Sequence, residues 1–285
     1  MMKKIMNRIY QKSAKLLVGT GISQNKQVRK FVQTMNSQLK PDFVELEGNK
    51  LYLDHNDSLS LSLYGYHEKT ETELVKQEIK PGDVVLDVGA NIGYYTLLFA
   101  KLVGPQGHVF AFEPEPKNFE LLTKNVNVNG YKNVTLIQKA VSNNNEIKNF
   151  YLTNTNTISH RLSKPHNECK SIKIETISLD DFIDKHDIVN FIKIDIHGSE
   201  GNAIKGMLSI LKKNETIKLL QEWWPDAIKE YDMDPEEHLR ILNELGFSLY
   251  EVDDINNKIM KTSIEKLMKK YPNPKIKDIN IFSKR

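Results

Sequence analysis

The stretch VVLDVGANIGY, residues 84–94, decides the fold of this 285-residue chain. An apolar run, 84–88, leads into a turn that contains Gly89 and Gly93, and a helical pattern begins at Tyr94. In open α/β sheets, ligands bind at the carboxyl ends of such strands. Glycine lets the backbone turn tightly and lets a ligand approach without a Cβ in its way. The stretch therefore predicts a strand, a ligand-binding loop and a helix.

The spacing within this loop points away from a dinucleotide. The dinucleotide fingerprint is Gly-x-Gly-x-x-Gly, with a pyrophosphate at the helix N-terminus. Here Asn91 stands at the central glycine, and Asp87, just before the turn, would repel a pyrophosphate. A carboxylate there suits a ligand with a cationic amino group, such as S-adenosylmethionine (SAM). Two alternatives stay open: an NAD enzyme, which Asn91 disfavours, and a glycine turn that only joins strand to helix.

The ends of the next two strands carry further candidates for cofactor binding. Glu113 follows the second strand, about twenty residues beyond Gly93, where a carboxylate can accept both hydroxyls of a ribose. The alternative is a surface Glu at a helix entry, which Pro114 favours. Ala140 and Val141 end the third strand, and small apolar residues there would form a slot for an adenine ring.

Strand and helix patterns alternate beyond residue 71 and indicate a parallel sheet covered on both faces. The predicted strands are 84–88, 108–113, 134–140, 191–196, 218–222, 248–252 and 279–283. The predicted helices are 72–79, 94–102, 117–127 and 201–211. No convincing crossover helix comes directly before the last strand. The pattern therefore predicts an α/β fold with a mostly parallel seven-stranded sheet whose last strand runs antiparallel.

The first 66 residues carry no chemical motif and form a predicted N-terminal extension, followed by one domain at 67–285. Residues 1–40 have a helical, polar pattern, and 41–66 predict short strands, with Leu59, Leu61 and Leu63 alternating with serines. The basic segment 1–19 has apolar residues on one helical face. It predicts a packed or partner-binding helix, with a peripheral membrane-surface helix as the less favoured alternative.

The composition excludes several classes of protein. The net charge of +3 creates no field that demands nucleic acid or a membrane as partner. The single cysteine, Cys169, rules out an internal disulfide and a cysteine-based zinc site, and it favours a reducing, cytoplasmic setting. Charged residues interrupt the apolar N-terminal positions, so we expect neither a secretory signal nor a membrane-spanning segment there.

With these motifs the chain resembles the FkbM family of SAM-dependent methyltransferases. The matching segments are LDVGANIGYYT (86–96), FEP (112–114), AVS (140–142), TISLD (176–180) and IKIDIHGSE (192–200). The resemblance covers about residues 71–224 and implies a class I methyltransferase, Rossmann-like fold. It implies that SAM is held by Asp87, Gly89, Asn91, Gly93 and Glu113, with Pro114 beside them and with Ala140 and Val141 near the adenine. Members commonly carry an acid where this chain has His197, so that acid's role does not transfer.

Three residues are candidates for the chemistry at the acceptor. Asp195 ends the fourth strand, His197 follows it, and Glu222 ends the next strand. Methyl transfer mainly needs alignment, and a hydroxyl acceptor also needs a base. The alternatives are a turn cap at Asp195, a loop histidine at His197 and a pocket wall or core edge at Glu222. Asp195 is also a candidate for contact with the cofactor. Asp195 and Glu222 together offer oxygen ligands for a divalent ion, but no diagnostic spacing supports one and we expect no metal.

Two nearby residues stay ambiguous. Glu200 begins a helix, where a carboxylate complements the helix dipole without any further role. His160 lies in 154–162, which is either a loop that contacts the acceptor or an ordinary surface loop. The sequence does not predict the oligomeric state.

Three functions compete at this point. The first is O-methylation of a hydroxyl on a sugar, glycan or other small molecule, which is also the activity the FkbM resemblance implies. The second is N-methylation of an amine or a protein side chain. N-methyltransferases often use an Asn/Asp-Pro-Pro-Tyr/Phe loop after the fourth strand, whereas this chain has DIHG at 195–198. The third is a module that binds SAM without catalysis.

Overall fold

The computed structural model describes residues 40–153, 160–162, 169–183, 188–231, 233–271 and 279–285. By its internal contacts the chain divides into two compact units, Met1–His67 and Glu68–Arg285. The helix predicted within residues 1–40 lies outside the described residues apart from residue 40. The assignment of 1–66 as an extension and of 67–285 as the catalytic domain stays a prediction.

The described part of the first unit is a hairpin followed by one helical turn. Strands β1 (Phe43–Leu46) and β2 (Asn49–Tyr52) pair antiparallel, and helix α1 spans Leu61–Tyr64. The strand predicted from the leucine–serine alternation at 59–63 was therefore wrong. The N-cap residue of this helix is Ser60, and the carboxylate of Asp57, three residues earlier, accepts the N–H groups of Leu61, at 2.9 Å, and of Ser62, at 3.0 Å. These local hydrogen bonds outweigh the period-two pattern.

The second unit is built on an eight-stranded sheet with the order β12-β11-β13-β10-β9-β3-β4-β5. Its strands are β3 (Val84–Val88), β4 (His108–Phe112), β5 (Val134–Ile137), β9 (Phe191–Ile194), β10 (Lys218–Trp223), β11 (Ser248–Asp253), β12 (Lys258–Lys261) and β13 (Ile279–Lys284). Strands β5, β4, β3, β9 and β10 run parallel, and β13 runs antiparallel to β10 and β11. The mostly parallel sheet with an antiparallel last strand is therefore confirmed.

The sheet has one strand more than the seven predicted. Strand β12 pairs antiparallel with β11 at the sheet edge. All four of its residues are exposed, so it lacks the apolar alternation by which a half-buried strand is recognised.

Helices flank the sheet and are joined by loops at its edges. They are α2 (Lys69–Glu78), α3 (Tyr94–Val103), α4 (Pro116–Val128), α5 (Leu179–Phe182), α6 (Glu200–Lys205), α7 (Leu208–Lys213), α8 (Pro225–Lys229), α9 (Pro235–Glu244) and α10 (Ile264–Lys270). The single helix predicted at 201–211 is two helices, α6 and α7. The chain bends at Gly206, where a Cβ would overlap the carbonyl group of Ser142.

The central strands are buried on both faces, which explains their continuous apolar sequence. Leu86 of β3 and Ile192 of β9 pack into one core cluster, and Val85 and Phe191 pack into the cluster on the opposite face. Layers on both faces hold the carboxyl ends of β3, β4 and β9 in a fixed row.

A small second sheet lies after β5 and was not predicted. Its strands are β6 (Ala140–Val141), β7 (Ile147–Leu152) and β8 (Lys170–Ile177), in the order β6-β8-β7. The predicted third strand, 134–140, therefore ends at Ile137, and Ala140 and Val141 belong to this second sheet.

No helix among the described residues is long and apolar enough to cross a membrane.

Candidate active site

A pocket opens at the carboxyl ends of β3, β4 and β9, and the space inside it, open solvent included, is about 520 Å³. Eight of the predicted site residues line it: Gly89, Asn91, Glu113, Pro114, Ala140, Val141, Asp195 and His197. Asp87, Gly93 and Glu222 are not on its wall. The structure thus brings most of the predicted residues to one cavity and places three of them behind it.

Glu113 presents its carboxylate at the wall of the pocket while its backbone contacts fix it in place. Its Oε2 atom accepts the N–H of Asn91 at 2.8 Å, and its Oε1 atom accepts the N–H of Glu115 at 2.9 Å. The side chain of Asn118 also hydrogen-bonds to this carboxylate. A carboxylate has about four acceptor positions in total, so these bonds leave capacity for a ligand. Burial raises the pKa of Glu113 to about 7, against the effect of these hydrogen bonds.

The two glycines of the loop are required by the packing of the chain itself. Both have positive φ, 87° at Gly89 and 97° at Gly93. A Cβ at Gly89 would overlap the carbonyl oxygen of Asp195, and a Cβ at Gly93 would come within 2.8 Å of Leu122. Protein atoms therefore occupy the space in which a Cβ would lie at either position. Gly89 also lines the pocket, and contact of the two glycines with a ligand stays a prediction.

Asp87 lies inside the protein rather than on the pocket wall. It is 1% exposed, and Thr96 donates its hydroxyl hydrogen to the carboxylate. Burial raises the pKa of Asp87 to about 6, although the nearby Lys193 opposes this shift. Because Asp87 is not on the pocket wall, its direct contact with the amino group of a ligand stays a prediction.

Lys193 links the buried acid to the pocket, and the sequence reasoning missed it. It lies in β9, is 5% exposed, and its Nζ atom is 3.0 Å from Oδ2 of Asp195. Burial disfavours the charged form, but Asp195 and Asp87 hold the pKa of Lys193 above its ordinary value. A single lysine within an otherwise apolar strand, FIKI, is the signal that could have identified it.

His197 forms a pair with Glu222 next to Asp195. The Nδ1 atom of His197 is 3.0 Å from Oε2 of Glu222 and 3.7 Å from Oδ1 of Asp195. Burial alone would lower the pKa of His197, but the carboxylate of Glu222 and then that of Asp195 raise it to about 10. This value lies well above the ordinary pKa of a histidine, about 6.5. The pair binds a proton at neutral pH.

Glu200 fixes the loop that carries His197. Its Oε1 atom accepts the N–H of Ile196 at 3.0 Å, and its Oε2 atom accepts the N–H of Gly198 at 2.8 Å. His197 itself has a φ of 52°, which is uncommon for a residue with a side chain. The geometry favours a structural role for Glu200, because its carboxylate holds an unfavourable loop conformation in place.

The same three side chains have the geometry of a possible cation site. One ligand atom each from Asp195, His197 and Glu222 lies within 4.8 Å of the others. Lys193 and a proton on His197 already compensate the two carboxylates. The expectation that no metal binds here stays a prediction.

Comparison with known proteins identifies relatives of this chain. A family model described as the methyltransferase FkbM domain matches residues 87–249, more than half of the chain. A model of protein-L-isoaspartate(D-aspartate) O-methyltransferase matches residues 15–141. The crystal structure of methyltransferase FkbM from Methylobacillus flagellatus is 16% identical, with a TM-score of 0.44, over 80% of this chain and 53% of that one.

Curated relatives include two sugar- or metabolite-modifying enzymes and a protein-modifying one. The hexuronic acid methyltransferase AglP of Haloferax volcanii is 29% identical over 51% of this chain and 58% of its own. The 31-O-demethyl-FK506 methyltransferase FkbM of Streptomyces tacrolimicus is 56% identical over 17% and 18%. The protein-L-isoaspartate O-methyltransferase of Ignicoccus hospitalis is 42% identical over 21% and 28%. The chain thus spans less than two thirds of the length of each.

Proposed function

The chain belongs to the FkbM family of methyltransferases, and from this premise we propose that it methylates a hydroxyl group of a sugar, glycan or other small metabolite. The observation that carries the proposal is the His197–Glu222 pair, which places an imidazole on the wall of the pocket beside Asp195. An imidazole oriented by a carboxylate is a common arrangement for removing a proton from a hydroxyl.

The donor is SAM, and the residues around the pocket fit it. Glu113 offers carboxylate lone pairs at one wall, and Ala140, Val141 and Phe150 form an apolar surface at another. When bound, SAM supplies an electrophilic methyl group attached to a sulfonium sulfur. Transfer of the methyl group leaves that sulfur as a neutral thioether.

On this proposal some residues bind the donor and others bind the acceptor. Glu113 accepts the ribose hydroxyls, and Ala140 and Val141 contact the adenine, with Asn91 and Pro114 beside them. Asp195 lies between the donor and acceptor parts of the pocket, where its carboxylate orients either ligand. Asp87 acts from behind the wall, through Lys193 and Asp195.

His197 acts at the acceptor. With Nδ1 held by Glu222, its Nε2 atom takes the proton of the attacking hydroxyl as the oxygen gains the methyl group. The proton stays on the imidazole until it is lost to solvent. Glu222 is a positioning residue, which orients the ring and stabilises the imidazolium.

The relatives support a hydroxyl-bearing acceptor over a protein. The names of two of them specify a hexuronic acid and a demethylated FK506 as what is methylated. The match to the isoaspartate methyltransferase model ends at residue 141, before Asp195, His197 and Glu222. That similarity therefore concerns the donor half of the site. A cytoplasmic location, suggested by the single cysteine, belongs to the same proposal.

The test measures S-adenosylhomocysteine (SAH) formed from SAM with a panel of probes. The panel contains the methyl glycosides of glucose, glucuronic acid and glucosamine, an isoaspartyl peptide and an RNA oligonucleotide. We expect turnover with at least one hydroxyl-bearing glycoside, and loss of at least a hundredfold in rate in His197→Asn at unchanged SAH affinity. Turnover confined to the peptide, the RNA or the amino group of glucosamine would reject the proposal.

A further inference from the structure

A short segment, His160 to Leu162, is anchored on the wall of the pocket from two sides. The backbone of Arg161 pairs with that of Tyr151, with N–H···O distances of 3.1 Å and 2.8 Å. The guanidinium of Arg161 is 2.8 Å from the carboxylate of Glu230. His160 and Leu162, on either side of Arg161, both line the pocket.

The ring of His160 is held in one orientation. The backbone N–H of Thr153 donates to Nδ1 of His160 at 3.0 Å, and the ring packs edge-on against Phe150 with centroids 6.3 Å apart. A backbone amide can only donate, so Nδ1 carries a lone pair rather than a hydrogen. The proton of the neutral ring is therefore on Nε2.

The surroundings keep this ring neutral. Burial, then the positive charges of His197 and Lys117, lower the pKa of His160 to about 4. His160 therefore differs from His197 in the same pocket: one is a neutral ring with a fixed N–H, and the other binds a proton shared with Glu222. No partner for Nε2 of His160 is found among the residues that the structure describes.

We propose that His160 is a specificity-determining residue whose Nε2–H donates a hydrogen bond to an oxygen atom of the methyl acceptor. The oxygen can belong to a hydroxyl, a ring ether or a carboxylate, since all three accept hydrogen bonds. A protonated amine has only donors and would meet this N–H unfavourably. His160 thereby selects an oxygen-rich acceptor over an amine. This inference rests on the proposed function, which it deepens.

Two variants distinguish the role of the Nε2–H group of His160 from that of its Nδ1 atom, which accepts the N–H of Thr153. His160→Phe keeps a ring against Phe150 and removes both nitrogens. His160→Gln places an amide N–H near the position of Nε2 and loses the Nδ1 acceptor. With the best glycoside of the panel, we expect His160→Phe to raise KM about tenfold, the effect of one neutral hydrogen bond, with SAH affinity within twofold of the parent. His160→Gln should restore KM to within about threefold.

The outcomes separate this inference from the function on which it rests. A parent protein that turns over no glycoside overturns the proposed function, and the acceptor role of His160 with it. An active protein in which His160→Phe keeps the parental KM, or in which Phe and Gln raise KM equally, overturns only the role of His160.

The state of the ring can be measured without turnover. Nitrogen-15 NMR of histidine-labelled protein, with His160 assigned from the spectrum of His160→Phe, reports the tautomer directly. We expect an Nε2–H ring that does not titrate between about pH 5.5 and about pH 8, whereas an ordinary histidine titrates near 6.5. A ring protonated on Nδ1, or one that titrates in that range, overturns the inference.

Discussion

Glu113 and Glu115 lie two residues apart and are both buried, but only Glu113 faces the pocket. Glu115 instead accepts the N–H of Asn118 at 2.7 Å and caps helix α4. We expect Glu113→Gln to weaken SAH binding by about 1.5–3 kcal/mol, because charge-assisted hydrogen bonds to a ribose would be lost. Titration calorimetry measures the affinity. Glu115→Gln is the matched control, and equal affinities in the two variants would show that Glu113 does not contact the ligand.

The pKa of His197 gives a second prediction at the residue scale. A base must be deprotonated to act, and Glu222 and Asp195 raise this pKa, in spite of burial, to about 10. The rate of methyl transfer at saturating substrates should therefore increase with pH through the neutral range. In Glu222→Gln the charge that raises the pKa is gone, so the midpoint of the rise should move to lower pH. Single-turnover rates across pH test this, and a flat profile in the parent would remove His197 as the base.

A third prediction concerns the effect of removing metal ions on activity. Lys193 lies 3.0 Å from one oxygen of Asp195, and His197 shares its proton with Glu222. Both carboxylates thus have cationic partners supplied by the protein. We expect that treatment with EDTA leaves the rate of SAH formation unchanged within twofold. Activity that disappears with EDTA and returns with Mg²⁺ or Mn²⁺ would instead make Asp195, His197 and Glu222 a metal site.

At the scale of elements, the junction between β3 and α3 depends on a glycine for two separable reasons. Gly89 has a φ of 87°, and Gly82 has a φ of 91°, but only at Gly89 would a Cβ meet other atoms within 4 Å. Gly82→Ala should cost about 1–2 kcal/mol from backbone strain alone. Gly89→Ala should cost about 1–3 kcal/mol more, because the overlap with Asp195 forces a shift. Urea unfolding measures both, and equal losses would mean that the close approach at Gly89 relaxes freely.

The elements that could be predicted from sequence are those whose signal is local and strong. Strands β3 and β9 each have one charged residue in an otherwise apolar run, so their positions follow directly from the sequence. Strand β12 is fully exposed and gives no pattern, and the break at Gly206 depends on a contact with Ser142, which is distant in sequence. Such features are set by tertiary contacts, which a single sequence does not display.

The candidate site divides in the same way. Motif position identified Glu113, Asp195, His197 and Glu222, because the ends of parallel strands meet at one edge. It did not distinguish Asp87, which turns inward, from the residues on the pocket wall. The direction of a side chain depends on its neighbours in adjacent strands, here Lys193 of β9, as well as on the alternation within its own strand.

For the whole molecule, the buried titratable groups predict how stability depends on pH. Burial raises the pKa of Glu71, Glu113 and Glu200 to about 7. The folded state therefore holds protons that the unfolded chain has already lost, and this stabilisation disappears as the pH rises through these values. Glu222 and His197 share one proton, and the pair acts as a single group in the same direction. His160 and His238, with pKa values lowered to about 4, act in the opposite direction only below about pH 6.5.

We therefore expect the melting temperature to fall between about pH 6.5 and about pH 8.5, where only the raised groups titrate. Calorimetry without ligand measures it. Glu222→Gln removes one of these groups and should reduce the fall. A melting temperature that rises over this interval would contradict the assigned directions.

The contact between Gly89 and Asp195 has a consequence for how the two substrates influence each other. The carbonyl of Asp195 fills the space beside Gly89, and its N–H donates to the carbonyl of Val88 at 3.0 Å. Under the proposed function, the loop at Gly89 meets the donor and the loop at Asp195 meets the acceptor, and this contact leaves them little freedom to move separately. We expect a ligand that displaces one loop to change the affinity of the other loop for its own ligand. Reciprocity then requires that donor and acceptor alter each other's binding affinity by the same factor.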